Sequence, residues 1–116
     1  MTTSAAQTEA VLGHHLQMFG ATNLDGIMSD YTESSVFIAP DQTYRGMEEI
    51  RSFFAGMFPM VTPEFMAAFK MIKQEVSGDT AYILWSVDGF FALGTDTLVV
   101  KDGKIAVQTF ATHPAS

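Results

Sequence analysis

The sequence predicts an α+β fold in which helices pack on one face of an antiparallel sheet. Three observations carry this. Apolar residues in the first half recur at helical spacing, whereas much of the second half alternates with period two. Asp102-Gly103 separates two β-rich runs, a strong hairpin signal because both central turn residues must tolerate positive φ. Both faces of those runs are apolar, and three helices cannot cover both faces of a long sheet. The second face is therefore expected to meet another copy, giving a homodimer through the sheet.

Ser4 and Gln7 form a capping box that opens the first helix. Thr8, Leu12, His15 and Phe19 share one face, with Val11 and Met18 beside it, and the helix should end between Gly20 and Thr22. Asn23 caps a short second helix reaching roughly Asp30, with Asp25 near its positive dipole end. Ser35 to Ala39 reads as a short strand halted by Pro40, and a loop then carries Tyr44 and Arg45. Gly46 precedes a third helix with Met47, Ile50, Phe53, Phe54, Met57 and Phe58 on its apolar face, and Pro59 stops it. Glu64 to Val76 alternates and reads as a strand. After a turn at residues 77–79, Thr80 to Gly89 forms another, with Ala81, Ile83, Trp85 and Val87 on one face. Residues 89–94 connect to the hairpin. No linker or repeat interrupts the chain, so 1–116 reads as one domain.

Six basic against thirteen acidic residues give a net charge of -7, which argues against binding to nucleic acid. No apolar run is long enough to span a membrane, and no basic segment precedes an apolar stretch at the N-terminus, so a cytoplasmic location is expected. The absence of cysteine removes thiolate metal sites and cysteine nucleophiles, and no histidine pair has metal spacing. No phosphate loop or nucleophile elbow appears, and neither metal nor cofactor is expected. Ten Phe and eight Met suit either a plastic core or an apolar cavity for a small apolar ligand.

Asp96 is the residue whose position most needs a reason. Alternation puts it on the face of Leu98 and Val100, and a buried carboxylate is costly unless paired, hydrogen-bonded or protonated. It reads either as a general acid, base or oxyanion donor, or as a structural carboxyl bonded to a tyrosine or to His15. His15 is the second candidate for chemistry, with a satisfied core histidine as its alternative. His14 should face solvent, and His113 should be exposed. In the last strand Ala106, Gln108, Phe110 and Thr112 share one face, and Ile105, Val107, Thr109 and Ala111 the other. Tyr31 and Tyr44 are candidates for the pocket mouth, and Trp85 for the pocket or a subunit interface. Phe54, Met57, Phe58, Leu98, Gln108 and Phe110 are candidate ligand contacts, although all of these but Gln108, and Phe53 with them, read more readily as plain core.

The order of these pieces resembles the nuclear transport factor 2-like, or SnoaL-like, superfamily of ketosteroid isomerases and polyketide cyclases. The matching stretches are Asn23-Leu24-Asp25-Gly26-Ile27, Tyr31 to Pro40, Arg45-Gly46 with Glu49 to Phe54, and Thr95-Asp96 leading to Lys101-Asp102-Gly103-Lys104-Ile105. The resemblance implies a strongly curved sheet wrapped around three N-terminal helices, forming a conical pocket. It puts the oxyanion aspartate of ketosteroid isomerase on Asp96, its partner tyrosine on or near His15, and its general base on Ala39. One group is kept, one is replaced by another titratable group and the base is missing. The implied activity is an isomerase, cyclase or lyase acting on a carbonyl compound by proton transfer through Asp96 and His15. The alternatives are a non-catalytic small-ligand pocket and a dimerisation module.

Overall fold

The computed structural model describes residues 4–115; residues 1–3 and 116, the ends of the single-domain reading, lie outside it. Its elements run α1 (Ala5–Gly20), α2 (Leu24–Met28), β1 (Val36–Ile38), β2 (Thr43–Arg45), α3 (Gly46–Met57), a 3-10 turn (Phe58–Met60), α4 (Pro63–Ala68), β3 (Phe69–Ser77), β4 (Thr80–Val87), β5 (Phe91–Lys101) and β6 (Lys104–Pro114). The α+β class holds, and the six strands form one sheet ordered β2-β1-β6-β5-β4-β3.

The strongest local signals form the expected elements. Ser4 and Gln7 complete the capping box of α1, which buries Thr8, Val11, Leu12 and His15. Asn23 Oδ1 accepts the Gly26 N–H and caps α2. Asp102 (φ 52) and Gly103 (φ 75) form the β5–β6 turn, with Lys101 opposite Lys104. Along β4 the burial alternates, placing Ala81, Ile83, Trp85 and Val87 inside.

Four readings need correction. Tyr44 and Arg45 are not in a loop but in β2, the edge strand paired antiparallel with β1. Residues 63–68 form α4 rather than strand: Thr62 Oγ1 accepts the Phe65 N–H, and Pro63 supplies a φ suited to a first helical turn. The sheet is not wholly antiparallel, because β1 runs parallel to β6, Val36 against Val107. Finally, Ile105 points inward. A register shift opposes Val99 to Val107 but Val100 to Ile105, leaving Ala106 as an extra residue that turns Ile105 to the buried face. β5 also begins earlier than expected, at Phe91, and α2 ends at Met28.

Further shifts fall at Met71/Lys73, Trp85/Val87 and Phe91/Leu93. Such irregularities bend and twist strands, and the sheet curves without closing. Helices α1 to α4 therefore number one more than expected. The core includes Leu12, Ile27, Phe37, Ile50, Leu98 and Ile105, all buried. Side chains Thr95, Thr97, Val99 and Val107 remain half-buried on the other face. Among the described residues no helix is long and apolar enough to cross a membrane.

Candidate functional site

Asp96 projects from the inner face of β5 between Gly94 and Leu98. Its carboxylate has two donors. Trp85 Nε1–H donates to Oδ1 at 2.9 Å, and Gln108 Nε2–H donates to Oδ2 at 2.9 Å. The indole reaches Asp96 because β4 pairs Trp85 opposite Gly94, where a Cβ would lie 2.4 Å from the ring. Phe69 and Phe110 stack on the indole, at 5.7 and 6.4 Å between ring centroids. Gln108 sits opposite Leu98 on β6, and its Oε1 accepts the Tyr31 hydroxyl at 2.6 Å.

The electrostatics follow from burial. Asp96 is 6% exposed and bonded to neutral donors, and desolvation pushes its pKa up to about 6 against the opposing pull of Trp85 and Gln108. It is therefore mostly ionised at pH 7, yet close enough to neutrality to exchange a proton. His15, on the inner face of α1, is lowered to about 4 by burial and then by repulsion from His14, so its imidazole is neutral. Its Nδ1 is buried without a hydrogen-bond partner. The Tyr31 and Phe54 rings pack edge-on against it.

Asp96 and His15 line a common cavity with Phe54, Met57, Trp85, Gln108 and Phe110. All seven are candidates from the sequence. Leu16, Phe19, Phe37, Phe69 and Ile83 complete the wall, with Phe53, which from the sequence reads more readily as core than as ligand wall. Their signal was present as apolar alternation or helical spacing, but it does not separate a wall from a core. The cavity volume is about 30 Å³, room for about two water molecules. A wider groove of about 510 Å³ adjoins it and shares Phe53, Met57 and Phe110 with it.

The other candidates lie elsewhere. Tyr31 is buried behind Gln108, Leu98 is fully buried core, and Phe58 packs behind the wall on Phe19 and Phe54. Tyr44 lines the outer groove, where its hydroxyl donates to Asp41. Asp96 bonds neither His15 nor a tyrosine. His14 does not stand free in solvent: its Nδ1 lies 2.8 Å from Asp30 Oδ2, joining α1 to the turn that follows α2. Ala39 is absent from the cavity wall, and Asp96 is the only carboxyl on it among the described residues. No group of three or more His, Cys, Asp or Glu among them could hold a metal ion.

Residues 12–108 match the family profile of a SnoaL-like domain. The chain belongs to the SnoaL-like family. No curated protein matches this SnoaL-like chain in sequence. Solved structures match it closely in shape. A Kribbella flavida protein named for ketosteroid isomerase is 15% identical, with 100% of this chain and 84% of that one covered and a TM-score of 0.72. A Sinorhizobium meliloti protein named for polyketide cyclase is 18% identical over 87% and 93% of the two chains, with a TM-score of 0.70. A de novo designed protein with a curved β-sheet reaches a TM-score of 0.75 at 15% identity, covering 94% and 87%. At these identities the likeness shows the fold alone.

Proposed function

We propose that this SnoaL-like protein binds a small, largely apolar carbonyl compound and moves a proton on it, as an isomerase, cyclase or lyase does. The observation that carries the reading is Asp96, a buried carboxylate inside an aromatic cavity, held by two neutral donors. Its role is to take a proton from the carbon beside the carbonyl and return it at another position. In this reading the neutral His15 ring, on the same cavity wall, donates to the oxygen as negative charge develops there. One carboxyl acting first as base and then as acid needs no second base, so the alanine at position 39 is no obstacle.

The 30 Å³ cavity has room for only the oxygen-bearing end of such a ligand. Its apolar body fits the adjoining groove once Phe53, Met57 and Phe110 move aside. A wall with a single carboxyl among the described residues also supports a second reading, a pocket that binds without catalysis.

The test is deuterium exchange beside the carbonyl, followed by proton NMR over a panel of cyclic enones in heavy water. Asp96→Asn should slow enzyme-dependent exchange by about 100-fold or more, in line with the usual worth of a general base. Exchange unaffected by Asp96→Asn would exclude Asp96 as the base. Binding seen by Trp85 fluorescence, with no exchange for any ligand that binds, would favour the second reading.

A further inference from the structure

Tyr31 lies off the cavity wall, yet it is hydrogen-bonded to the group that touches Asp96. We propose that Tyr31 is a positioning residue whose hydroxyl locks the Gln108 amide in the orientation that donates to Asp96, leaving the carboxylate to receive its proton from the cavity side. The inference rests on reading Asp96 as the proton-transfer group.

The geometry runs through one amide. Gln108 has a donor end and an acceptor end. Its Nε2 faces Asp96 Oδ2 at 2.9 Å and its Oε1 faces the Tyr31 hydroxyl at 2.6 Å. If the amide turned over, Oε1 would oppose Oδ2, and two acceptors repel unless Asp96 carries the proton. Nε2 would then donate to the tyrosine oxygen, whose own proton would lose its acceptor. Among the described residues the hydroxyl of Tyr31 makes this single hydrogen bond. A buried hydroxyl without an acceptor is unfavourable, so Tyr31 selects the observed orientation. Trp85 reinforces it at Oδ1, because an indole N–H can only donate. Donors thus occupy one position on each oxygen, and a proton from substrate must take a lone pair that neither neighbour uses.

The other elements around the carboxylate add no competing charge. Helix α1 supplies His15, which is neutral. Helix α3 and strands β1 and β3 present only Phe and Met side chains to the cavity.

The arrangement is tested by carbon-13 NMR titration of the Asp96 carboxyl in the full chain. Tyr31→Phe should raise its midpoint by about one pH unit, because the freed amide can turn over and accept from the protonated acid. Gln108→Met should also raise it, and adding Tyr31→Phe to Gln108→Met should change nothing more. A midpoint unmoved by Tyr31→Phe, or moved equally when Gln108 is absent, would overturn the proposal. Should a variant fail to fold, the wild-type side-chain NH₂ signals of Gln108 decide. They should titrate with the Asp96 midpoint, and indifference to it refutes the lock. These readouts need no substrate, so failure of the Tyr31–Gln108 lock and failure of Asp96 as the proton-transfer group are told apart: the titration tests the first and the exchange assay the second.

Discussion

Asp96 and His15 are displaced in opposite senses, and the signs set how stability depends on pH. Asp96 has a folded pKa of about 6 against an ordinary 3.8, so the folded state keeps a proton that the unfolded state has released. Its contribution is full below the unfolded value and is lost as pH rises to about 6, a change of roughly 3 kcal/mol. His15 has a folded value of about 4 against 6.5, so it contributes above its unfolded value and loses that as pH falls to about 4, again by roughly 3 kcal/mol. Between the two folded values the slopes oppose each other. Asp96→Asn removes one of them. The stability of this variant relative to wild type should therefore climb by about 3 kcal/mol from pH 3 to pH 7, measured by denaturant melts. Parallel pH curves for the two proteins would contradict the burial assigned to Asp96.

At the scale of elements, Gly94 is where strand pairing and site geometry meet. A methyl group there would collide with the Trp85 ring. Gly94→Ala should destabilise the fold by roughly 2 kcal/mol and displace the indole from Asp96. Denaturant midpoints and the fluorescence of Trp85, the chain's single tryptophan, check both, and an unchanged spectrum would show that the ring does not need this gap. The same scale explains what could be read in advance. Capping boxes, Asp-Gly turns and period-two burial are local, so α1, α2, β4 and the β5–β6 hairpin were legible, as was the inward placing of Asp96. Strand β2 spans three residues, too few for alternation to register. Phe65 and Phe69 fit a helical step of four as well as a period of two, so the start of α4 was hidden despite the Thr62-Pro63 signal. The shift at Ala106 depends on pairing with β5, and nothing local to β6 announces that Ile105 turns inward. The aromatic wall had the same limit: spacing shows which side chains turn inward, whereas only packing shows which of them border empty space.

At the scale of the whole molecule, one curved sheet serves proteins named for different activities and a designed protein alike, so the fold does not choose the chemistry. Burial of the outer sheet face against a second copy is our proposal for assembly, motivated by Thr97, Val99 and Val107 on that face and by Leu93, which is 43% exposed. Thr97→Lys or Val107→Lys should weaken the dimer in sedimentation experiments, and a wild-type monomer at micromolar concentration would refute it. The choice of chemistry rests on one carboxyl. The most direct test is the carbon-13 NMR titration of Asp96 in the wild-type protein. A midpoint near pH 6 is expected. A carboxyl that titrates below its ordinary value of 3.8 would show a group held ionised by its surroundings, and would contradict the reading of Asp96 as a proton-transfer residue.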